Sequence, residues 1–388
     1  GGVCVGWNAQ NVLWAVTEEM DAEYGTDYQA RLKDWILMAQ SQGLTAAGAL
    51  TDPKGSRSLK PSQQPDPDTN LRVVEVRDDG IVIRGAKVMI CATAASQEVF
   101  LVPGGVYGEA DQDYAVACVV PKDIEGLTIV EATHPSDRRE MEDTAECEVP
   151  ATGITQGWLL FDDVFVPNER VFMCKEWKYT GKFIQAFTAN YRACIGACVA
   201  GQGDVMIGAS ILMARANGLS TKTFMSKLVD MSVNNQVTYG LGVGACAMGY
   251  QHPSGPWFAD PLTAHTNKVM VATLPYEVKR LTQEIGGGIV ETGCMPSCKD
   301  LASPEYGHLL SKYLKAGDAS AETRFKAARL SEWLTVGAGI PGCMHGGGSP
   351  DGAKLMVRFT TPMEEYVDYA RNVMGIEEEV PDPAKPRR

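Results

Sequence analysis

Ala189-Asn-Tyr-Arg-Ala-Cys-Ile-Gly-Ala-Cys-Val-Ala-Gly-Gln-Gly-Asp204 is the stretch around which the chain is organised. Its many small residues predict a helix that another group approaches closely. The two thiols, Cys194 and Cys198, are four residues apart and therefore share one face of that helix. The face would suit a neighbouring helix, a flat cofactor or a metal cluster. The alternative interpretation is a tightly packed core helix with two buried thiols, because cysteine is a common core residue.

Helical periodicity dominates on the C-terminal side of this stretch and strands dominate before it. Apolar spacing predicts two helices near the start of the chain, and residues 71–166 alternate as antiparallel strands around turn signals such as Asp78-Asp-Gly80. Dinucleotide binding of the Rossmann type is not expected, because no Gly-x-Gly-x-x-Gly follows a strand. The predicted helices span 8–24, 27–42, 179–216, 221–248, 261–285, 306–316, 320–340 and 350–374.

The resulting fold class is α+β, with N-terminal helices, a middle antiparallel β domain and a C-terminal helical bundle. The predicted units are a remainder of an N-terminal helical domain, a β domain that carries a basic loop, the bundle, and a disordered tail. Their boundaries are 1–48, 49–168, 169–376 and 377–388.

Composition limits the function classes. The 388 residues carry a net charge of −13, which disfavours binding to nucleic acid. No run of about 18 uninterrupted apolar residues occurs, so no membrane span is expected. Eleven cysteines, an odd number in a long chain, favour a reducing, cytoplasmic setting. The chain begins Gly-Gly-Val-Cys, without Met or a signal segment, so we expect a fragment of a longer protein.

One loop is basic although the chain as a whole is acidic. Lys54, Arg57 and Lys60 lie within seven residues of one another in a Pro-, Gly- and Ser-rich segment. Such a loop is either a solvated connector or a contact for an anion such as a pyrophosphate. Glycine triplets at 286–288 and 346–348 interrupt helical patterns, which indicates either tight helix ends or the close approach of a flat ligand.

Several motifs together resemble the 4-hydroxyphenylacetate 3-hydroxylase family, which has an acyl-CoA dehydrogenase-like fold, and within it the branch of the 4-hydroxybutyryl-CoA dehydratases and vinylacetyl-CoA isomerases. The resemblance covers nearly the whole chain. The motifs are Phe161-Asp-Asp-Val-Phe-Val-Pro167, Thr51-Asp-Pro-Lys-Gly-Ser-Arg57, Pro61-Ser-Gln-Gln64, Gln283-Glu-Ile-Gly-Gly-Gly288 and Met344-His-Gly-Gly-Gly-Ser-Pro350.

The resemblance implies a homotetrameric flavoprotein with FAD between the β domain and the bundle. It assigns three segments to the flavin, of which the glycine turn is expected to be reached from a neighbouring subunit. The implied contacts are Leu50, Thr51, Asp52, Pro53, Lys54, Gly55, Ser56 and Arg57 in the basic loop, Cys91 and Ala92 in a strand, and Gly286, Gly287 and Gly288 in the turn.

The dehydratase branch also implies a 4Fe-4S cluster with three cysteine ligands and one histidine. The first cysteine of the implied Cys-x-x-x-Cys pair would fall just before Gly1, Cys4 matches the second and Cys198 the third, whereas the histidine position holds Tyr191. Because thiolate is the usual ligand of such clusters, Cys194 is a candidate substitute on the same helix face. Further departures from the branch are Val199 after the third cysteine, Cys91 in place of a threonine near the flavin, and Gly342 in place of a glutamate.

The first functional hypothesis is a FAD-dependent enzyme that dehydrates or isomerises a short-chain acyl-CoA. His345 and Glu284 are the candidate bases, since histidine titrates near neutral pH without tuning. The second hypothesis is a reduced-FAD-dependent hydroxylase of a small aromatic substrate, which needs no iron. The third is a non-catalytic member that keeps the fold and the tetramer.

Overall fold

A computed structural model describes residues 4–132, 156–293, 295–335, 346–380 and 382. His345, Gly342 and most of the predicted tail lie outside these residues, so their predictions stay predictions.

The N-terminal helices follow the predicted apolar spacing. Val12, Leu13 and Met20 are fully buried along one face of the first helix. The second helix ends at Gly43, whose φ of 65° is the left-handed conformation that glycine tolerates at a helix end. The two helices are α1 (Cys4–Tyr24) and α2 (Tyr28–Gln42).

Eight strands form two four-stranded sheets in the described part of the chain. One sheet has the order β1-β4-β5-β8 and the other β2-β3-β7-β6. The predicted antiparallel pairing is correct for every neighbouring pair except β1 and β4, which run parallel. The strands are β1 (Ala46–Ala49), β2 (Arg72–Val76), β3 (Gly80–Cys91), β4 (Glu98–Leu101), β5 (Val116–Pro121), β6 (Leu127–Ala132), β7 (Gln156–Pro167) and β8 (Val171–Cys174).

The bundle follows β8 and is built on one long helix, α3 (Thr180–Ala216). Two helices that were predicted as continuous are broken. The pattern 261–285 breaks at Ala272 and Thr273, because Pro275 has no N–H to donate to the carbonyl of Val271 and its ring clashes with that carbonyl. The pattern 350–374 breaks at Thr361, because Pro362 disfavours helical geometry in the residue before it. The other helices are α4 (Met225–Ala247), α5 (Pro261–Val271), α6 (Leu274–Gly286), α7 (Gly288–Glu291), α8 (Cys298–Leu301), α9 (Gly307–Leu314), α10 (Ala321–Thr335), α11 (Pro350–Thr360) and α12 (Met363–Met374), with a small hairpin of β9 (Tyr250–Gln251) and β10 (Trp257–Phe258) after α4.

The long helix α3 contacts α1, α4, α5, α6 and α10. By length and composition alone, the segment Trp177–Ala216 could also cross a membrane. The central helix of a soluble bundle has the same composition, since it is apolar on several faces. The bounds of the helices and strands do not test the predicted domain boundaries. Two strands of the sheets, β1 and β8, lie at or beyond the ends of the predicted β domain, 49–168.

Candidate functional site

The start of α1 lies beside the middle of α3 because the two helices run antiparallel. Lys182, near the start of α3, forms an ion pair with Glu19 near the end of α1. Further along, Asn8 Nδ2 donates to Phe187 O at 2.9 Å. Cys4 lies one turn before Asn8 on α1, and Cys194 lies about two turns after Phe187 on α3, so the antiparallel packing carries both cysteines toward the same end of the contact.

Three thiols meet at this point. The thiol of Cys194 lies close enough to those of Cys4 and Cys198 to interact with both. The hydrogen bond from Cys194 lowers the pKa of Cys4, while the same partner raises the pKa of Cys198. All three predicted ligands are therefore brought together, with Cys4 favoured as the thiolate. Cys198 is exposed, and Cys4 and Cys194 are half-buried.

The small residues of the segment 189–204 pack against neighbouring helices on the face of α3 that does not carry the thiols. A Cβ on Gly196 would lie 2.5 Å from Asn267 Nδ2 of α5, and a Cβ on Gly203 would lie 2.0 Å from Asn235 Oδ1 of α4. These glycines let α4 and α5 approach α3 closely. The stretch thus combines helix packing on one face with a thiol cluster on another.

Tyr191, at the position where the resemblance expects histidine, borders the thiols. Burial, reinforced by nearby Cys4 and Cys91, raises the pKa of its phenol. Its ring stacks on Phe187 with 6.4 Å between centroids and 10° between planes. Gly347, of the second glycine triplet, packs against the same ring, because a Cβ there would lie 3.0 Å from Tyr191 Cδ1.

Cys91 ends β3 in a segment of unusual backbone. Met89 and Ala92, which flank it, have φ angles of 57° and 64°, in the left-handed region that non-glycine residues rarely adopt. Such strain costs about 1–3 kcal/mol per residue and tends to occur at ligand sites. Burial raises the pKa of the Cys91 thiol, and Gln156 Nε2 donates to Cys91 Sγ at 3.6 Å.

The basic loop is hydrogen-bonded to the same strand. Val88 N donates to Thr51 O at 2.8 Å, so two of the three predicted flavin segments are neighbours. Asp52, a predicted flavin contact, has its carboxylate occupied elsewhere: Lys87 Nζ lies 2.7 Å from Asp52 Oδ1, and both side chains are almost fully buried. The ammonium of Lys87 also donates to Leu50 O at 3.0 Å and to Val102 O at 2.9 Å.

The side chain of Gln64 is hydrogen-bonded to the backbone of the basic loop. Its side-chain oxygen accepts from Ser56 N at 2.9 Å, and its Nε2 donates to Ser56 O at 2.9 Å and more weakly to Lys54 O and Leu59 O. Lys54 and Gly55 have φ angles of 71° and 47°. The loop is therefore an ordered turn with its backbone N–H groups fixed in place.

The three cations of this loop, Lys54, Arg57 and Lys60, are exposed. None of them has a carboxylate partner within the described ranges. In a chain of net charge −13 they form a cationic surface suited to an anionic ligand.

The first glycine triplet ends α6. Gly287 has φ 71° and ψ −167°, a conformation that is essentially restricted to glycine. A Cβ on Gly287 or Gly288 would meet nothing within 4 Å, so this turn faces open space. The expectation that another subunit brings this turn to the flavin stays a prediction.

Glu284 lies in a surface ion network and not beside the thiols. Its carboxylate pairs with Lys227 and Arg280. The hydrogen bond from Lys227 lowers the pKa of Glu284. A carboxylate with a lowered pKa is a poor base at neutral pH, so this placement argues against the predicted catalytic role.

Sequence reasoning did not identify Lys87, Gln64 or the buried pair of Arg192 and His265. Gln64 ends the family motif Pro61-Ser-Gln-Gln64, and that motif could have indicated a role for Gln64 in ordering the loop. Lys87 could have been noticed as a cation in an apolar strand. The contact of Arg192 with His265 joins α3 to α5 over 73 residues, and no local pattern indicates it.

Thiols are the usual ligands of iron–sulfur clusters, so the chemistry of this donor set fits such a group. No three Cys, His, Asp or Glu side chains of the described segments are placed to hold one metal ion. A 4Fe-4S cluster takes one ligand at each of its irons, so its ligands need not converge on one point. Three adjacent thiols, one with a lowered pKa, fit that requirement.

Two family models match the chain. The 4-hydroxyphenylacetate 3-hydroxylase N-terminal model covers residues 1–173, and the C-terminal model covers residues 180–375. The 4-hydroxybutyryl-CoA dehydratase/vinylacetyl-CoA-Delta-isomerase of Clostridium aminobutyricum is 35% identical over 96% of this chain and 79% of its own length.

Solved structures agree with the fold. An oxygen-tolerant archaeal 4-hydroxybutyryl-CoA dehydratase from N. maritimus superposes with a TM-score of 0.94 at 33% identity, over all of this chain and 78% of that one. The oxygenase component of 4-hydroxyphenylacetate 3-monooxygenase, complexed with FAD, has a TM-score of 0.78 at 23% identity, over 95% of this chain and 77% of its own. The butyryl-CoA dehydrogenase of Megasphaera elsdenii has a TM-score of 0.51 at 14% identity, over 87% of this chain and 73% of its own, and confirms the acyl-CoA dehydrogenase-like fold.

Proposed function

Because this chain belongs to the 4-hydroxyphenylacetate 3-hydroxylase family, we propose that it is a FAD-dependent enzyme of the 4-hydroxybutyryl-CoA dehydratase type that dehydrates or isomerises a short-chain acyl-CoA. The observation that carries the proposal is the meeting of Cys4, Cys194 and Cys198 between α1 and α3. An aromatic hydroxylase has no need of three adjacent thiols, whereas an iron–sulfur dehydratase requires thiolate ligands.

The FAD would lie on the face formed by the basic loop and the end of β3. Three of the five non-glycine residues with positive φ in the described chain, Lys54, Met89 and Ala92, occur in these two segments. Backbone N–H groups of such turns and the exposed cations Lys54 and Arg57 would bind the pyrophosphate. Asp52 would contribute through its backbone only, because Lys87 occupies its carboxylate.

A 4Fe-4S cluster would be held by Cys4, Cys194 and Cys198. Bound together, cluster and flavin supply a Lewis-acidic iron and an electron acceptor. The chain's own part is to present thiolates, which the lowered pKa of Cys4 favours, and to place a base at the substrate. His345 is the proposed base, since the ion pairs of Glu284 hold its carboxylate at the surface.

A homotetramer of cytoplasmic protomers is part of the proposal. Four apolar side chains of α4, spaced four residues apart, are 40–55% exposed in the single chain. A contiguous exposed apolar face on a helix is typical of a protein interface. The residues are Met225, Val229, Val233 and Val237.

The test is anaerobic purification of the full-length protein, followed by measurement of iron, FAD and conversion of vinylacetyl-CoA and 4-hydroxybutyryl-CoA. About four irons per chain, with FAD and conversion of either thioester, is the expected result. FAD without iron would favour the reduced-FAD-dependent hydroxylase of a small aromatic substrate. A protein with neither cofactor would be a non-catalytic member of the family.

A further inference from the structure

We propose that Lys87 and Tyr107 are positioning residues for the flavin. They hold the carboxylate of Asp52 inside the β domain, so that the backbone of the basic loop meets the pyrophosphate and the negative charge of Asp52 does not. The inference rests on the proposed function, since it presumes FAD at the basic loop. It goes beyond the family resemblance, which implies flavin contacts in the loop itself and no role for Lys87 or Tyr107.

Both oxygens of the Asp52 carboxylate have a buried partner. Lys87 Nζ lies 2.7 Å from Oδ1, and the Tyr107 phenol donates to Oδ2 at 3.3 Å. Asp52 is 4% exposed, Lys87 2% and Tyr107 8%. A charge as deeply buried as this is stable only when it is paired and hydrogen-bonded. Because the two partners approach different oxygens, they fix the orientation of the carboxylate as well as its position.

The turn after β4 makes room for this carboxylate. A Cβ on Gly104 would lie 2.0 Å from Asp52 Oδ2 and 2.7 Å from Leu50 O. Any larger residue at this position would therefore displace the carboxylate or the first residue of the loop. A Cβ on Gly108, in the same connection between β4 and β5, would meet nothing within 4 Å. The close approach thus belongs to Gly104 and not to the whole connection.

The anchored side chain leaves backbone donors of the loop free. Leu50 O accepts from Lys87 Nζ at 3.0 Å and Thr51 O accepts from Val88 N at 2.8 Å, so the carbonyl groups are bonded to β3. The N–H groups of Thr51 and Asp52 have no acceptor within the described residues. Because nearly all buried backbone N–H groups in proteins are paired, two adjacent unpaired ones at a buried residue indicate a ligand. Consecutive N–H groups of a turn bind anions such as a pyrophosphate.

Lys87 also cancels a charge that would oppose the flavin. Asp52 is the only acid of the segment 50–57, which otherwise carries Lys54 and Arg57. An uncompensated carboxylate near a pyrophosphate would repel it, and the repulsion is strong where water is excluded. The ammonium of Lys87, 2.7 Å from Oδ1, neutralises that charge from the interior. The loop thus presents its two cations without an opposing charge.

Tyr107 connects the loop to the bundle. Its backbone N–H donates to Thr180 Oγ1 at 3.0 Å, and Thr180 begins α3. Thr180 Oγ1 donates in turn to Trp177 O at 2.7 Å, so the contact is fixed on both sides. One residue therefore holds Asp52 through its phenol and α3 through its backbone. This arrangement suits a flavin between the β domain and the bundle, since the loop keeps a defined position relative to both.

The experiment perturbs the buried carboxylate from two sides without changing the loop itself. Tyr107→Phe removes the phenol, and its control is Tyr28→Phe, because Tyr28 is 6% exposed and donates to a carboxylate at 3.1 Å. Gly104→Ala displaces the carboxylate, and its control is Gly108→Ala. Each full-length protein is purified anaerobically. The readouts are iron per chain, the dissociation constant of FAD from flavin fluorescence titration, and the free energy of unfolding in urea.

Tyr107→Phe and Gly104→Ala should each raise the dissociation constant of FAD by about fivefold or more, the effect of one lost hydrogen bond, with iron content unchanged. Tyr28→Phe should lose as much stability as Tyr107→Phe and keep wild-type FAD affinity, which separates positioning from a general loss of stability. Gly108→Ala should match wild type. If Tyr107→Phe binds FAD as tightly as Tyr28→Phe, the inference is overturned and the proposed function stands, and this comparison decides alone should Gly104→Ala not fold. Wild-type protein that binds no FAD would overturn both.

Discussion

The guanidinium of Arg192 lies against the imidazole of His265 in the interior of the bundle, with Nη1 2.9 Å from Nδ1. Arg192 is 4% exposed and His265 is 1% exposed. Because a guanidinium only donates hydrogen bonds, His265 Nδ1 accepts, and the imidazole is neutral with its proton on Nε2. Arg192 Nε also donates to Gly347 O at 2.9 Å, which ties the turn after His345 to α3.

The first prediction concerns the pH dependence of stability. Burial and the charge of Arg192 lower the pKa of His265 to about 4, against about 6.5 in an unfolded chain. The folded state therefore binds fewer protons than the unfolded state between these values. Stability should fall as the pH drops from about 6.5 to 4, by up to about 1.4 kcal/mol per pH unit for this group.

The variant His265→Asn keeps an acceptor for Arg192 and removes the titration, so urea unfolding between pH 4.5 and 7 should show a shallower pH dependence than wild type. His308→Asn is the matched control, because His308 is exposed on α9. Equal pH slopes for wild type and His265→Asn would contradict the assignment.

The second prediction concerns the buried ion pair of Lys87 and Asp52 below the basic loop. Removing one member of a buried pair leaves an uncompensated charge, which costs about 3–5 kcal/mol. Lys87→Met should lose that much unfolding free energy in urea titration. The double variant with Asp52→Asn should recover part of the loss, because the remaining carboxylate is neutralised.

Lys122→Met is the control for this pair, since Lys122 is exposed and its ammonium donates to Ala94 O at the surface. If neutralising Asp52 brings no recovery, the loss in Lys87→Met comes from packing and not from charge.

The pairs Arg192–His265 and Lys87–Asp52 could not be predicted from the sequence, unlike the helix positions. Helix positions followed from apolar spacing and from glycine at helix ends, as at Gly43, because both signals are local. The breaks at Pro275 and Pro362 were also local and were missed only because periodicity was followed through the prolines. In contrast, the partners of Lys87 and Arg192 are set by how distant elements pack, which spacing along the chain does not encode.

The thiol cluster could be predicted from the sequence only in part. The shared face of Cys194 and Cys198 follows from helix geometry. The approach of Cys4 depends on the antiparallel packing of α1 and α3, to which the hydrogen bond between Asn8 and Phe187 belongs. The family resemblance implied only that Cys4 and Cys198 are ligands of one cluster.

The third prediction concerns the basic loop. Arg57→Gln removes an exposed guanidinium that we propose binds the FAD pyrophosphate. A hydrogen bond to a charged group contributes about 1.5–3 kcal/mol, so the dissociation constant of FAD should rise about 10- to 100-fold, with a weaker dependence on salt. Flavin fluorescence titration measures both. Lys33→Gln, at an exposed position of α2, is the control and should leave affinity unchanged.

The fourth prediction tests the interior of the same loop. Gln64→Leu keeps the size of the side chain and removes its hydrogen bonds to Ser56, Lys54 and Leu59. The backbone N–H groups then lose their fixed positions, so FAD should bind at least about tenfold more weakly while the cluster iron is retained. Unchanged FAD affinity in Gln64→Leu would show that the loop is ordered by the flavin itself.

The last prediction concerns assembly through α4. Val233 is 55% exposed in the middle of the apolar face formed by Met225, Val229, Val233 and Val237, while the opposite face of α4 packs on α3. A carboxylate buried in an interface without a partner is strongly destabilising, so Val233→Glu should convert the proposed tetramer into smaller species in sedimentation velocity. Val76→Glu is the control, because Val76 is equally exposed, at 57%, but lies at the end of β2. If Gly287 and Gly288 reach the flavin of another subunit, Val233→Glu should also lose FAD, whereas a dissociated protein that keeps its FAD would place the whole flavin site within one chain.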